Sequence, residues 1–295
     1  ISFLAPEELV LGLKIGDEVK AYPNVILYYH EIVNDELSGA PVSVTYCPLT
    51  GSGLAWSRVV RGETTTFGVS GLIYKNNLIA YDRKTNSNWS QMKAQSVKGP
   101  LAGEEPETYQ LIEMKWKTWK EAFPNSKVLA GNQTTDFNYE RYPYGGDYPS
   151  NNSSILFPIG REDDRLERKT LAHGVYYKST LSVFPIKDFP DDISVSNRFV
   201  KGSNIVVIGS SDAQLAVTYS SKLDDGTTLN FEKVPDQLPV VMKDAEGTKW
   251  NIFGEAVSGP REGEKLNRIP SYNAYWFAWV DFFGAGPREP FIVRP

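Results

Sequence analysis

Hydrophobic and polar positions alternate through most of the chain, and that pattern predicts strands. In Val42-Ser43-Val44-Thr45-Tyr46-Cys47, residues Val42, Val44 and Tyr46 fall on one face and Ser43, Thr45 and Cys47 on the other, because successive strand side chains point to opposite sides. Glu18-Val19-Lys20-Ala21-Tyr22 behaves alike, and Ile15-Gly16-Asp17-Glu18 before it has the turn chemistry of a hairpin. Gly62, between Val59-Val60 and Thr64-Thr65-Thr66-Phe67, marks another hairpin, matched later by Asp224-Asp225-Gly226. The period lengthens at Trp116, Trp119 and Phe123, and again at Trp276, Trp279 and Phe283, where aromatics recur at i, i+3 and i+7 as on one face of a helix. Pro124 and Gly284 follow as stop signals. Each stripe is expected to pack on its own sheet rather than to bind a ligand.

These landmarks occur twice in the same order. Gly12 and Pro23 are matched by Gly174 and Pro185, Asn34 by Asn197, Trp89 and Gly99-Pro100 by Trp250 and Gly259-Pro260, and the two aromatic stripes by each other, at an offset between 160 and 164 residues. A nearly fixed offset indicates a duplicated unit. The expected fold is therefore a β-rich α+β arrangement of two tandem homologous units of mostly antiparallel sheet, each closed by an amphipathic aromatic helix. Residues 1–130 form the first unit, 131–165 a linker or covering loop, and 166–295 a second, degenerate unit. The linker is aperiodic and centred on Tyr142-Pro143-Tyr144-Gly145-Gly146-Asp147-Tyr148-Pro149, and a segment of that length is either a spacer or a loop laid across a site.

What appears in one unit alone is the better candidate for function. His30-Glu31-Ile32-Val33-Asn34-Asp35 becomes Ile193-Ser194-Val195-Ser196-Asn197-Arg198, and Tyr46-Cys47-Pro48-Leu49-Thr50-Gly51 becomes Ile208-Gly209-Ser210-Ser211-Asp212-Ala213. Imidazole, thiol and acids vanish together. His173 is the other histidine of the chain. A soft thiolate with imidazole suits copper or zinc, so His30, Cys47 and His173 are candidate ligands of an open three-ligand site, provided the two units pack face to face. Glu31, Asn34, Asp35, Thr50, Ser70, Trp89 and Gln91 are candidate ligand-binding residues of the same pocket. A buried apolar cysteine and a backbone-bonded structural histidine are the plainer alternatives. The chain contains no Gly-rich phosphate loop, no Gly-x-Ser-x-Gly elbow and no His-Glu-x-x-His motif, which removes support for the common nucleotide and hydrolase readings.

Composition narrows the setting. A net charge of −5 over 295 residues, without a Lys/Arg cluster, argues against nucleic acid, and no apolar run approaches the length of a membrane span. A lone cysteine rules out an internal disulfide. Sequons begin at Asn88, Asn132, Asn151 and Asn152, and the chain opens Ile1-Ser2-Phe3 as a processed protein would. An extracellular, cell-surface or periplasmic glycoprotein is expected from these features.

Gly-Asp-Glu-Val-Lys-Ala-Tyr-Pro (16–23), His-Glu-Ile-Val-Asn-Asp (30–35), Val-Thr-Tyr-Cys-Pro-Leu-Thr-Gly-Ser (44–52), Phe-Gly-Val-Ser-Gly-Leu (67–72), Tyr-Asp-Arg-Lys-Thr (81–85) and Trp-Ser-Gln (89–91) together resemble domain-of-unknown-function family 3179. The match is dense over about residues 8–130. The resemblance implies a bacterial or archaeal protein, often behind a signal peptide, with a family-wide pocket in the first unit and no established activity. Many members read Cys-Pro-Leu-Cys where this chain has Thr50, so Cys47 and His30 are left to carry the site. The expected function is thus a copper, zinc or small-ligand site in the first unit. The alternative is a self-associating structural subunit that adds strands through Ile1-Ser2-Phe3-Leu4 and Pro290-Phe291-Ile292-Val293. Carbohydrate binding through surface Tyr and Trp is a third reading.

Overall fold

The computed structural model describes residues 4–131, 138–177, 180–284 and 289–294. The fold is β-rich, with antiparallel sheets and three short α-helices, α1 (Asn24–His30), α2 (Trp116–Ala122) and α3 (Trp276–Phe283). In the first half, one sheet joins Leu111–Lys115, Leu9–Ile15, Glu18–Pro23 and Lys127–Val128 in that order. A second joins Thr108–Tyr109, Ser52–Ser57, Ala40–Cys47 and Ile32–Leu37, and a third Gln95–Lys98, Asn88–Ser90, Asn77–Asp82 and Phe67–Tyr74. The second half presents three sheets in a similar order, the middle one with three strands rather than four. Ser271–Tyr275, Leu171–Tyr177, Thr180–Pro185 and Phe291–Ile292 form one sheet, Ser194–Val200, Ser203–Ser210 and Leu215–Ser220 another, and Phe231–Lys233, Val240–Asp244, Lys249–Asn251 and Ala256–Ser258 the last. In both helix-bearing sheets the last strand joins in parallel. Among the described residues, no helix is long and apolar enough to cross a membrane.

The recurrent residues have recurrent physical duties. A Cβ placed on Gly12 would lie 1.8 Å from Trp119 Cζ3, and one on Gly174 would lie 2.4 Å from Trp279 Cη2. Both glycines are the bare patch of strand on which an indole from the closing helix rests, a close approach only glycine permits. Asn34 brackets Phe67 by donating to its carbonyl and accepting from its N–H, both at 2.8 Å. Asn197 does the same to Phe231, at 2.8 and 2.9 Å. Buried Trp89 donates to Asp82 and buried Trp250 to Asp244, each at 3.1 Å.

Each half has apolar packing of its own, Leu11 and Leu13 on Val42 and Val44 in the first and Val175 and Phe184 on Ile205 and Val207 in the second, and two further clusters join the halves. One apolar cluster combines Val10, Ile112, Met114 and Trp119 with Val206, Leu215, Trp250 and Leu266. Another combines Cys47, Leu49, Leu78 and Met92 with Val183, Trp276, Phe277 and Phe283. Each aromatic stripe packs on its own sheet, as expected, and also reaches the other half. Trp119 covers Gly12, but its edge and Phe123 also meet Phe253 of the second half, at ring separations of 6.3 and 5.3 Å. Sheets apolar on both faces need a layer on each side, and each half supplies one to the other.

Polar groups stitch this seam. Glu113 is fully buried and accepts from Asn24 Nδ2 at 2.8 Å and Asn273 Nδ2 at 2.9 Å. Asn273 Oδ1 lies 2.9 Å from His173 Nδ1. Because Asn273 turns its NH2 to Glu113, its oxygen is the acceptor and His173 Nδ1 carries the proton. Lys14 reaches across to Glu255 at 2.7 Å. The C-terminal apolar segment is engaged within its own sheet, where Phe291–Ile292 pairs with Ser182 and Val183 and Val293 N–H donates to Val183 O. It is the edge strand of that sheet. Ile1, Ser2 and Phe3 lie outside the described residues.

Two outcomes follow from the shared cores and the seam. Trp119→Ala should cost about 3–5 kcal/mol, the usual cost of emptying a buried Trp site, and in urea both halves should unfold together, seen as coincident fluorescence and circular-dichroism transitions. Two resolved transitions would mean separate cores. Burial pushes the His173 pKa down to about 4, against a smaller upward pull from Asn273. The unfolded chain then binds a proton that the folded chain refuses as pH falls from about 6.5, the free-histidine value, to about 4. Stability should fall through that window by about 1.4 kcal/mol per unit from this group. His173→Gln should make the acid limb of a stability–pH curve shallower by about one proton, and an unchanged slope would contradict the assignment.

Candidate functional site

Cys47 ends the strand Ala40–Cys47, where Pro48 interrupts the ladder and Leu49-Thr50-Gly51 turn the chain. Its thiol donates to Asn76 O at 3.5 Å. Burial raises the thiol pKa and the Glu31 carboxylate raises it further, while the Thr50 hydroxyl and the N–H groups of Thr50 and Leu78 pull the other way. Donors at the turn do face the sulfur, but desolvation outweighs them and the thiol stays protonated.

The three expected metal ligands have three separate settings. His30 is the last residue of α1 and sets Nε2 2.7 Å from Tyr139 OH. Cys47 faces its own turn, and His173 faces the seam. Among the described residues, no group of three or more His, Cys, Asp or Glu side chains is placed to hold a metal ion. The trio is not assembled, because the units pack face to face through Glu113 and Asn273 and His173 is turned onto that pair.

What the structure does bring together is the tyrosine-rich segment and the residues lacking counterparts in the second half. Tyr142 OH donates to Pro48 O at 2.8 Å and Tyr148 OH to Leu49 O at 2.9 Å. Tyr144 OH reaches Glu31 Oε1 at 3.5 Å, Tyr139 meets His30, and Tyr29 OH shares its proton between Arg141 O at 2.6 Å and Asn138 O at 2.9 Å. Tyr142 lies 4.6 Å from the Tyr28 ring and stacks on Tyr148 at 6.0 Å. Residues 138–148 are thus a covering loop over the Cys47 turn. Glu31, at the end of α1, adopts φ of 53°, a left-handed conformation rare outside glycine. Burial, only partly offset by Tyr144, pushes its carboxyl up to about 7.

A buried polar network backs the turn. Thr50 Oγ1 and Ser52 Oγ lie 2.9 Å apart. Asn77 Nδ2 donates to Thr50 Oγ1 at 3.0 Å and to Gln91 Oε1 at 2.7 Å, and Gln91 Nε2 donates to Ser52 O at 2.8 Å. Thr50 and Gln91, two of the expected ligand residues, therefore converge behind Cys47. The others do not. Asn34 and Trp89 are scaffold, Ser70 bonds Ile79 O, and Asp35 pairs with Lys20 and Tyr22 at 2.5 and 2.8 Å. Burial raises the Asp35 pKa, but those partners and the Glu36 N–H hold it below the usual carboxylate value. Of the sequon asparagines, Asn88 is half-buried in a central strand whose Ser90 is buried. Asn151 donates to Asp147 at 2.7 Å and Asn152 accepts from Lys169 N–H at 2.9 Å, both on turns of the covering segment. Asn132 lies outside the described residues.

Lys169 was not visible in the sequence. Only 6% exposed, it places Nζ 3.1 Å from the Tyr148 ring centroid, 5.0 Å from Tyr275 and 5.4 Å from Phe277. No hydrogen-bond partner reaches that nitrogen among the described residues. Burial pushes its pKa down to about 7, while the aromatic faces favour the cation. The run Arg168-Lys169 reads as solvated charge, and nothing local signals an aromatic box assembled from residues far along the chain.

Burial pushes Glu31 up and Lys169 down toward about 7 and raises Cys47, and Glu31 also acts on Cys47 through space. Perturbed groups at a covered position are characteristic of binding and catalytic sites. Comparison with curated proteins and with solved structures returns no match. The family model described as "Protein of unknown function (DUF3179)" matches residues 1–286, nearly the whole chain. The sequence motifs at 16–91 and this match agree, and the chain belongs to the DUF3179 family.

Proposed function

We propose that this is an extracytoplasmic protein, built from a duplicated unit, that binds a small ligand beside Cys47 under a lid formed by residues 138–148. One observation carries the reading. The residues peculiar to the first half, His30, Glu31 and the Cys47 turn, all dock on the same segment. If the second half keeps only scaffold, the residues it lacks are those the lid covers. The donor set beneath the lid is one protonated thiol, one carboxyl near neutrality and several phenols. That set supports a small organic ligand better than copper or zinc, since His30 and His173 are turned to other partners. The sequons support the extracytoplasmic setting and glycosylation.

A second reading is self-association, and one surface favours it. Phe67–Tyr74 is an edge strand, and Val69 and Leu72 on it are 47% and 56% exposed. Edges of this kind invite strand pairing. If that edge drives assembly, Leu72→Lys should convert oligomers to monomers in sedimentation.

The lid reading is tested by thiol chemistry. Cys47 should react with a thiol-specific disulfide reagent far more slowly than in urea-unfolded protein. In Tyr142→Phe/Tyr148→Phe the rate should rise by about tenfold or more, since two latching hydrogen bonds of about 1 kcal/mol each are lost. A native thiol as reactive as the unfolded one, or a double variant as slow as wild type, would remove the lid.

A further inference from the structure

A cleft of about 750 Å³ opens along the seam of the two halves, and Cys47 is not among the residues that line it. Gln95, Tyr109 and Gln110 of the first half and Arg268, Ser271 and Tyr272 of the second line it. We propose that this cleft binds an acidic saccharide, with the sugar carboxylate on the Arg268 guanidinium and the ring against the tyrosines.

Arg268 is the reason for the carboxylate. Arg58 and Arg83 turn their guanidinium groups onto backbone carbonyls at 3.2 Å or less. Arg268 has no such hydrogen bond or ion pair among the described residues. The surrounding cleft walls disfavour its charge through burial, and Glu107 supports it only through space. A guanidinium poised in a concave wall is a planar, always charged fork that fits a carboxylate through two parallel bonds.

The remaining lining chooses among carboxylates. Tyr176 and Tyr272 stack at 6.0 Å with their hydroxyls 3.3 Å apart, forming a flat, half-buried platform. The Tyr272 hydroxyl also donates to Met92 O at 2.6 Å, which holds that ring still. Ser271 has a hydroxyl with no hydrogen-bond partner among the described residues. Gln95 Nε2 donates to Glu105, another lining residue, at 3.2 Å and Gln110 Nε2 to Leu111 O at 3.1 Å, which leaves their carboxamide oxygens as acceptors for hydroxyls. A rigid aromatic platform, a charged fork and several hydrogen-bonding groups match a ligand that is hydroxylated around one carboxylate. The volume is that of an ordinary small-molecule site, and the cleft depends on the seam rather than on the Cys47 turn.

The test is calorimetry on the full chain with trigalacturonate, its methyl ester and citrate. Trigalacturonate should bind, the neutral ester about tenfold or more weakly, and Arg268→Gln should weaken the acid by a similar factor without changing the unfolding midpoint. Arg268→Lys should fall between, since charge remains but the fork is lost. Cys47→Ser should bind as wild type does. Failure of trigalacturonate to bind, equal binding of ester and acid, or equal affinity in Arg268→Gln would overturn the proposal. So would citrate binding as tightly as trigalacturonate, which would reduce the site to a generic anion contact.

Discussion

The apolar faces that the two halves bury against each other are the constraint on which the rest depends. Each helix-bearing sheet turns the face that carries its own Trp, seated on Gly12 or Gly174, toward residues of the opposite half, and packs its other face on strands of its own half. Burial on this scale is the dominant favourable term in folding, and it fixes how the halves meet. Once they meet, Glu113 and Asn273 must lie together, and a fully buried carboxyl is acceptable there because two carboxamides donate to it. The seam then places Tyr275 against the Cys47 turn, where its N–H donates to Thr50 O at 2.8 Å and its ring blocks any Cβ at Gly51.

The chemistry of the covered site is a consequence of that closure. Cys47, Glu31 and Lys169 differ in type, yet desolvation is the first cause of the shift at each. Burial opposes whichever form is charged, so it raises the acid and the thiol and lowers the amine. Surface pairs such as Arg61 with Glu104 or Lys84 with Glu63 sit in high dielectric and contribute little to stability. The groups under the tyrosines are the ones whose protonation a ligand or an opening lid would change.

Much of the scaffold was legible in the sequence because it is written in repeated, local patterns. Gly12 with Trp119, Gly174 with Trp279, and Asn34 with Asn197 recur at one offset, and each proved to be a structural contact. The joint loss of His30, Glu31 and Cys47 from the second half singled out residues that lie against one covering segment. The partners that reveal this, Tyr142, Tyr144 and Tyr148, lie 94, 113 and 99 residues from the groups they touch. No periodicity reports contacts at that separation. Segment α1 was equally hidden, since Asn24–His30 reads as a short apolar aromatic run, and short runs do not distinguish helix from strand.

The central claim is that the tyrosine segment buries Cys47 and partly desolvates Glu31 in the resting protein. Carbon-13 NMR of glutamate-labelled protein, with Glu31→Gln to identify the resonance, tests it most directly. The account predicts that the Glu31 carboxyl titrates near pH 7. Titration near 4.5, the ordinary value for an exposed glutamate, would show that water reaches the carboxyl and that the segment does not close the site.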